Sequence, residues 1–189
     1  MTQQSRREFL IASAVGLSSG WLTANRAGIL DARVFAAAAV AGHPGPFSFF
    51  TSQQAVEIDA VASQILPGDD SPGAHEARCV YFIDRALATF LRDSQPVYRQ
   101  GLEELQAKTG ELFPHAARFS ALSSEQQIQV LQAIEHGDFF RAVRTHTILG
   151  MFAPPDHGGN FERAGWNLIG FDGTHAYTPP FGYYDAKDV

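Results

Sequence analysis

The side chains able to do chemistry are scattered rather than grouped. The seven histidines, His43, His75, His115, His136, His146, His157 and His175, form neither a two-histidine helical pair nor the Cys/His spacing of a zinc site. Asp156-His157 and Glu135-His136 each set two potential ligands side by side, but adjacent residues on a helix point in different directions and seldom reach one ion. An alternative metal-binding or catalytic set is His146 with Asp156 and His157, and it lacks motif spacing. Asp69-Asp70 lacks the alternating oxygen ligands and closing glutamate of a calcium loop, so turn and capping roles suit it better. Gly158-Gly159-Asn160 reads as a tight turn, because no strand precedes it and no third glycine follows at dinucleotide-binding spacing. Ser71, Ser123 and Ser124 stand in turn or cap contexts without a nucleophile elbow. The single cysteine, Cys79, cannot supply an iron–sulfur or haem ligand set. The sequence therefore offers no catalytic, cofactor-binding or metal-ligating residue.

The elements that carry these residues are helical. Thr51 and Gln54 form a capping box, and Val56, Ala60, Val61, Ile65 and Leu66 follow as a stripe that Pro67-Gly68 stops. Val80, Ile83, Leu87 and Leu91 recur at helical spacing and predict a second helix from about Ala74 to Leu91. Pro96 suits the first turn of a third, which passes Leu102 and Leu105 and ends near Gly110. Ser123 or Ser124, with Gln126 or Gln127 three residues on, caps a fourth carrying Ile128, Leu131 and Ile134, and Gly137 closes it. A fifth runs from about Phe139 to Met151, with Val143, Thr147 and Met151 on one face, until Pro154-Pro155. Asn160 caps a further short segment that Trp166, Leu168 and Ile169 are expected to pack down. No strand-like alternation and no fixed-period repeat occurs. The expectation is an all-α fold, a compact single domain of about five helices over residues 42–189, ending in an irregular aromatic tail from Thr174 to Val189.

Residues 1–41 carry an address rather than a fold. Arg6-Arg7, followed by Phe9 and Leu10, then a modest apolar stretch and the small residues around Ala36–Ala41, make the three-part pattern of an export signal of the twin-arginine (Tat) kind. A membrane anchor fits less well. The charge-free run from Phe9 to Asn25 is broken by Ser13, Gly16, Ser18, Ser19, Gly20 and Thr23, and falls short of the ~20 mostly apolar residues a spanning helix needs. The expected location is the periplasm, with the Tat translocon as the first partner. From Gly42 onward the chain holds 10 Lys+Arg against 18 Asp+Glu, a net of −8, and no basic run. Nucleic acid is thereby excluded as a partner. In an oxidising compartment the lone Cys79 has no internal disulfide partner. It reads as a small buried hydrophobe within Cys79-Val80-Tyr81-Phe82-Ile83, the sharper alternative being an intersubunit disulfide. The chain holds 15 phenylalanines, of which some are expected in the core and the rest on a surface that another subunit covers.

Three stretches together resemble the family of gluconate 2-dehydrogenase subunit 3. They are Leu66-Pro67-Gly68-Asp69-Asp70-Ser71-Pro72-Gly73-Ala74 leading into Tyr81-Phe82-Ile83-Asp84-Arg85-Ala86-Leu87; Phe139-Phe140 leading to Thr145-His146-Thr147; and Gly158-Gly159-Asn160 followed by Gly165-Trp166-Asn167-Leu168-Ile169-Gly170-Phe171. The resemblance spans most of residues 50–175. It implies an accessory subunit without catalytic residues, working with a large FAD-dependent dehydrogenase subunit that oxidises a sugar or sugar acid, and with a cytochrome c subunit that holds haem c. It further implies that the small chain supports folding, flavin loading or joint export of the large one. No catalytic residue carries over from the resemblance. Aromatic anchors are favoured at interfaces, which singles out Trp166, Tyr177, Tyr183 and Tyr184 as candidate partner contacts, core packing being the better-suited role for Trp166 and partner contact for the three tyrosines.

Overall fold

Side-chain capping boxes open two of the helices in the computed structural model, which describes residues 45–173. Helix α1 (Ser52–Ile65) starts where Thr51 Oγ1 accepts from Gln54 N at 3.2 Å while Thr51 N donates to Gln54 Oε1 at 2.9 Å. Its buried face is Ala55, Ile58, Val61 and Ala62. Val56, expected in that stripe, is 51% exposed, because it sits about 100° around the helix from Ala55. Helix α2 (Cys79–Ala88) is shorter than the expected Ala74–Leu91. Arg78 adopts a left-handed conformation (φ 55°) that no α-helix can pass through, so residues 74–78 form turns instead. Beyond Ala88, Thr89 leaves helical geometry, and a 3₁₀ turn at Arg92–Ser94 leads to helix α3 (Gln95–Leu112), with Pro96 in its first turn.

Ser123 and Gln126 form the second capping box, opening helix α4 (Ser124–Ile134). There Gln127, Val130, Leu131 and Ile134 face inward, whereas the expected Ile128 is largely exposed. Helix α5 (Asp138–Phe152) buries Val143, Thr147 and Met151 as the spacing predicts, together with Phe139, His146 and Gly150. The short helix α6 (Ala164–Leu168) completes six α-helices and no strand among the described residues. No described helix is long and apolar enough to cross a membrane.

Helix α5 is the centre of the packing and contacts α1, α2, α3 and α6. The main core gathers Ile58, Val61, Ile83, Leu87, Tyr98, Leu105, Phe119, Val130 and Val143 around it. Gly101 lets α3 approach α5 closely, since a Cβ there would stand 2.0 Å from Phe139 Cγ. Polar side chains fasten the periphery. Glu57 on α1 accepts from Ser120 Oγ at 2.6 Å and Ser120 N at 3.1 Å, and Gln64 bonds Gln127 at 2.7 Å across to α4. The signal residues Arg6, Arg7, Phe9 and Leu10 lie outside the described residues, as do Tyr177, Tyr183 and Tyr184 of the tail.

Candidate interaction surface

Two adjacent charged residues are buried in the apolar helix α2, and they part company. Neighbours on a helix point about 100° apart. Asp84 turns to the segment ahead of α1 and accepts from Ser48 N at 2.7 Å and from Phe49 N and Phe50 N at 2.9 Å each. Arg85 turns the other way and lies against Gly158. Its Nη1 is fully occluded and has no hydrogen-bond partner among the described residues. Burial lowers the Arg85 pKa from its ordinary value, and the negative charge of Asp84 opposes the shift.

The stretch from Ala153 to Gly173 is a latch across the C-terminal end of α5. Asn160, itself left-handed (φ 48°), donates through Nδ2 to Ala153 O at 2.9 Å and accepts at Oδ1 from Gly165 N at 2.9 Å. Trp166 Nε1 donates to Phe152 O at 2.8 Å, and Phe171 meets the indole edge-on. Phe161 N donates to Ala77 O at 3.1 Å, and the Arg78 guanidinium covers the Phe161 ring at 3.4 Å, which fixes the turn ahead of α2. The two glycines exist for close approach. Gly158 has φ +103°, and a Cβ on it would meet Arg85 Nη1 at 2.3 Å, while one on Gly159 would meet Gly150 O at 2.2 Å. The space a side chain would take at both positions is filled by protein.

The residues singled out from sequence fall into separate environments. His146 is buried on α5, with Nδ1 2.9 Å from Tyr98 Oη and its ring stacked on that of Tyr98; burial lowers its pKa. Asp156 and His157 are exposed on the 3₁₀ turn Pro155–His157. The described residues contain no group of three or more His, Cys, Asp or Glu side chains placed to share a metal ion. Cys79 is fully buried near Ala62, Ala74, Ala77 and Met151, and burial pushes its thiol up to about 12. It is therefore a thiol rather than a nucleophilic thiolate at neutral pH, and a bond to another chain would require the first turn of α2 to leave its packing. Trp166 is buried within the latch.

Several large apolar side chains remain exposed. Phe90, just past α2, is 59% exposed, edge-on to buried Phe82 with ring centroids 6.3 Å apart. Leu168 and Ile169 are 51% and 60% exposed. The sequence pattern has them packing α6 down, but that helix buries Ala164, Gly165 and Trp166 and leaves Leu168 and Ile169 outside. A shallow groove between α1 and α2 is lined by Phe47, Val56, Asp59, His75, Arg78 and Tyr81. In it His75 Nδ1 lies 2.6 Å from Asp59 Oδ2, and that bond raises the His75 pKa.

Residues 52–173 match the family model for gluconate 2-dehydrogenase subunit 3. The chain belongs to that family. No curated protein and no solved structure matches it. The family match runs from the first residue of α1 to the last described residue of the latch, so the subunit 3 domain is this six-helix body together with its latch. Sequence reasoning misses Asp84, Arg85 and Phe90 as individuals. The signal is present: two charges inside the run from Val80 to Leu87, on a helix whose apolar spacing leaves little exposed face.

Proposed function

We propose that this subunit 3 protein is a non-catalytic accessory subunit of a flavin-dependent dehydrogenase that oxidises a sugar or sugar acid of the gluconate type. It supports folding and assembly of the large FAD subunit and carries it through the Tat translocon, so the complex works in the periplasm, held at the inner membrane. FAD and haem c reside in the partner subunits. The observation that carries this reading is the family match across all six helices. The Arg6-Arg7-x-Phe9-Leu10 pattern ahead of it adds the export route. Exposed Phe90, Leu168 and Ile169 suit a chain that works against another protein surface.

Affinity capture of the tagged chain from the periplasmic fraction tests the reading. The expected result is co-purification of a flavin-containing large subunit and a haem-staining cytochrome, with dehydrogenase activity in the complex and none in the chain alone. A chain that emerges alone with stoichiometric metal, or with activity of its own, contradicts the proposal and favours a metal-binding protein using His146, Asp156 and His157. Capture of the large subunit from cytoplasm but not from periplasm identifies a chaperone that departs after export.

A further inference from the structure

We propose that Arg85 and Phe90, at the C-terminal end of α2, are the docking contact for an acidic side chain set in an apolar patch of the flavin-dependent large subunit. This inference rests on the accessory-subunit reading above.

The unexplained feature is Arg85, a buried side chain whose guanidinium makes no ion pair or hydrogen bond among the described residues. Arg85 is 7% exposed, and Nη1 is out of solvent without a hydrogen bond. The ion pairs among the described residues are His75–Asp59, Lys108–Glu111, His136–Glu135 and Arg141–Asp138, and Arg85 takes part in none. Its sequence neighbour Asp84 is committed to the backbone of Ser48, Phe49 and Phe50. A buried charge with no partner is unfavourable, and an apolar side chain of similar volume would serve packing better. The fold nevertheless makes room for this one. Gly158 takes a left-handed conformation and omits a side chain where a Cβ would stand 2.3 Å from Nη1.

The second observation is an exposed aromatic at the same end of α2. Phe82 stands three residues before Arg85, on the same side of α2, and Phe90 packs edge-on against Phe82 while leaving 59% of itself in solvent. Thr89, next to Phe90, bonds back to Arg85 O at 2.6 Å and holds the turn in place. Arginine and aromatic residues beside one another, desolvated at the centre of a contact, are the usual anchors of protein interfaces. Charge complementarity selects the occupant. An apolar partner alone would cover Phe90 and leave the guanidinium unpaired, whereas a carboxylate within an apolar patch satisfies both. The residual exposure of Arg85 lies away from Nη1, so an incoming carboxylate meets the rim of the guanidinium.

The experiment pairs a binding measurement with a folding measurement. The full chain is co-expressed with the flavin-dependent subunit from the same genome, as wild type, Arg85→Met, Arg85→Lys and Phe90→Ser. Affinity for the large subunit and the denaturant midpoint of the small chain are read for each. Arg85→Met is expected to leave the midpoint unchanged or raised, and to weaken assembly by about tenfold or more. Arg85→Lys should recover part of that loss, and Phe90→Ser should weaken assembly without moving the midpoint. Assembly unchanged in both Arg85→Met and Phe90→Ser overturns the contact while leaving the accessory role intact. A large fall in the Arg85→Met midpoint also overturns it, because the guanidinium would then be structural. Wild-type chain that does not bind the flavin subunit overturns the accessory reading itself. Variants that change self-association rather than binding assign the surface to a second copy and overturn the proposal.

Discussion

Replacing Arg6 and Arg7 together with lysine is expected to leave both this chain and the flavin-dependent subunit in the cytoplasm, with periplasmic dehydrogenase activity falling to background. The substitution keeps the charge of the N-terminal region, so any step that needs only positive charge is untouched. It removes the paired planar guanidinium forks, which lysine's compact ammonium cannot reproduce. The twin-arginine route is read through that pair. If one signal serves two chains, the loss extends to a subunit that the substitution does not touch. Fractionation with detection of each subunit, and dye-linked activity in the periplasmic fraction, measures it. Export of both chains at the wild-type level contradicts the assignment of the signal.

The second large effect concerns Asp84. Its carboxylate collects three backbone N–H donors from Ser48, Phe49 and Phe50, a segment 34 to 36 residues away in sequence. Phe50 is a member of the main core, packed against Tyr98. Asp84→Ala would strand these donors in a partly buried position and release the segment that seats Phe50. Bonds to a charged acceptor are worth roughly 1.5–3 kcal/mol each and do not sum fully, so a loss of about 3–5 kcal/mol is expected. Chemical denaturation of the purified chain, read at its midpoint, checks the value. Asp84→Asn should fall between, because an amide oxygen still accepts while its NH₂ group faces donors. A change in Asp84→Ala below about 1 kcal/mol would mean that the segment is held by Phe50 alone, the net contribution of one ordinary hydrogen bond being of that size.

Features set by neighbours along the chain are legible in the amino-acid order itself. Both capping boxes, at Thr51/Gln54 and Ser123/Gln126, form as their spacing predicts, and Pro96 opens α3. The beginning of α2 is not legible there, since its cause lies some 80 residues away: Phe161 bonds Ala77 O and receives the Arg78 guanidinium on its ring. Helical periodicity locates the buried arcs but not their edges, which is why Val56 and Ile128 are exposed. At α6 it places Leu168 and Ile169 on the wrong side of the boundary. Asp84 and Arg85 illustrate the deeper limit. A charge in a helix reads as surface until the groups that surround it are known, and those come from residues 48–50 and 158. The Gly158-Gly159-Asn160 motif is recognisable as a turn, but its purpose, seating Arg85 and the backbone of α5, is a property of the packed molecule.

The most direct test of the accessory role is deletion of this chain with the large subunit left intact. The account predicts that the flavin-dependent subunit then accumulates in the cytoplasm, and that periplasmic dehydrogenase activity is lost until the full chain, with Arg6 and Arg7 in place, is supplied again. A large subunit that reaches the periplasm and oxidises its substrate normally in the deletion would contradict the account.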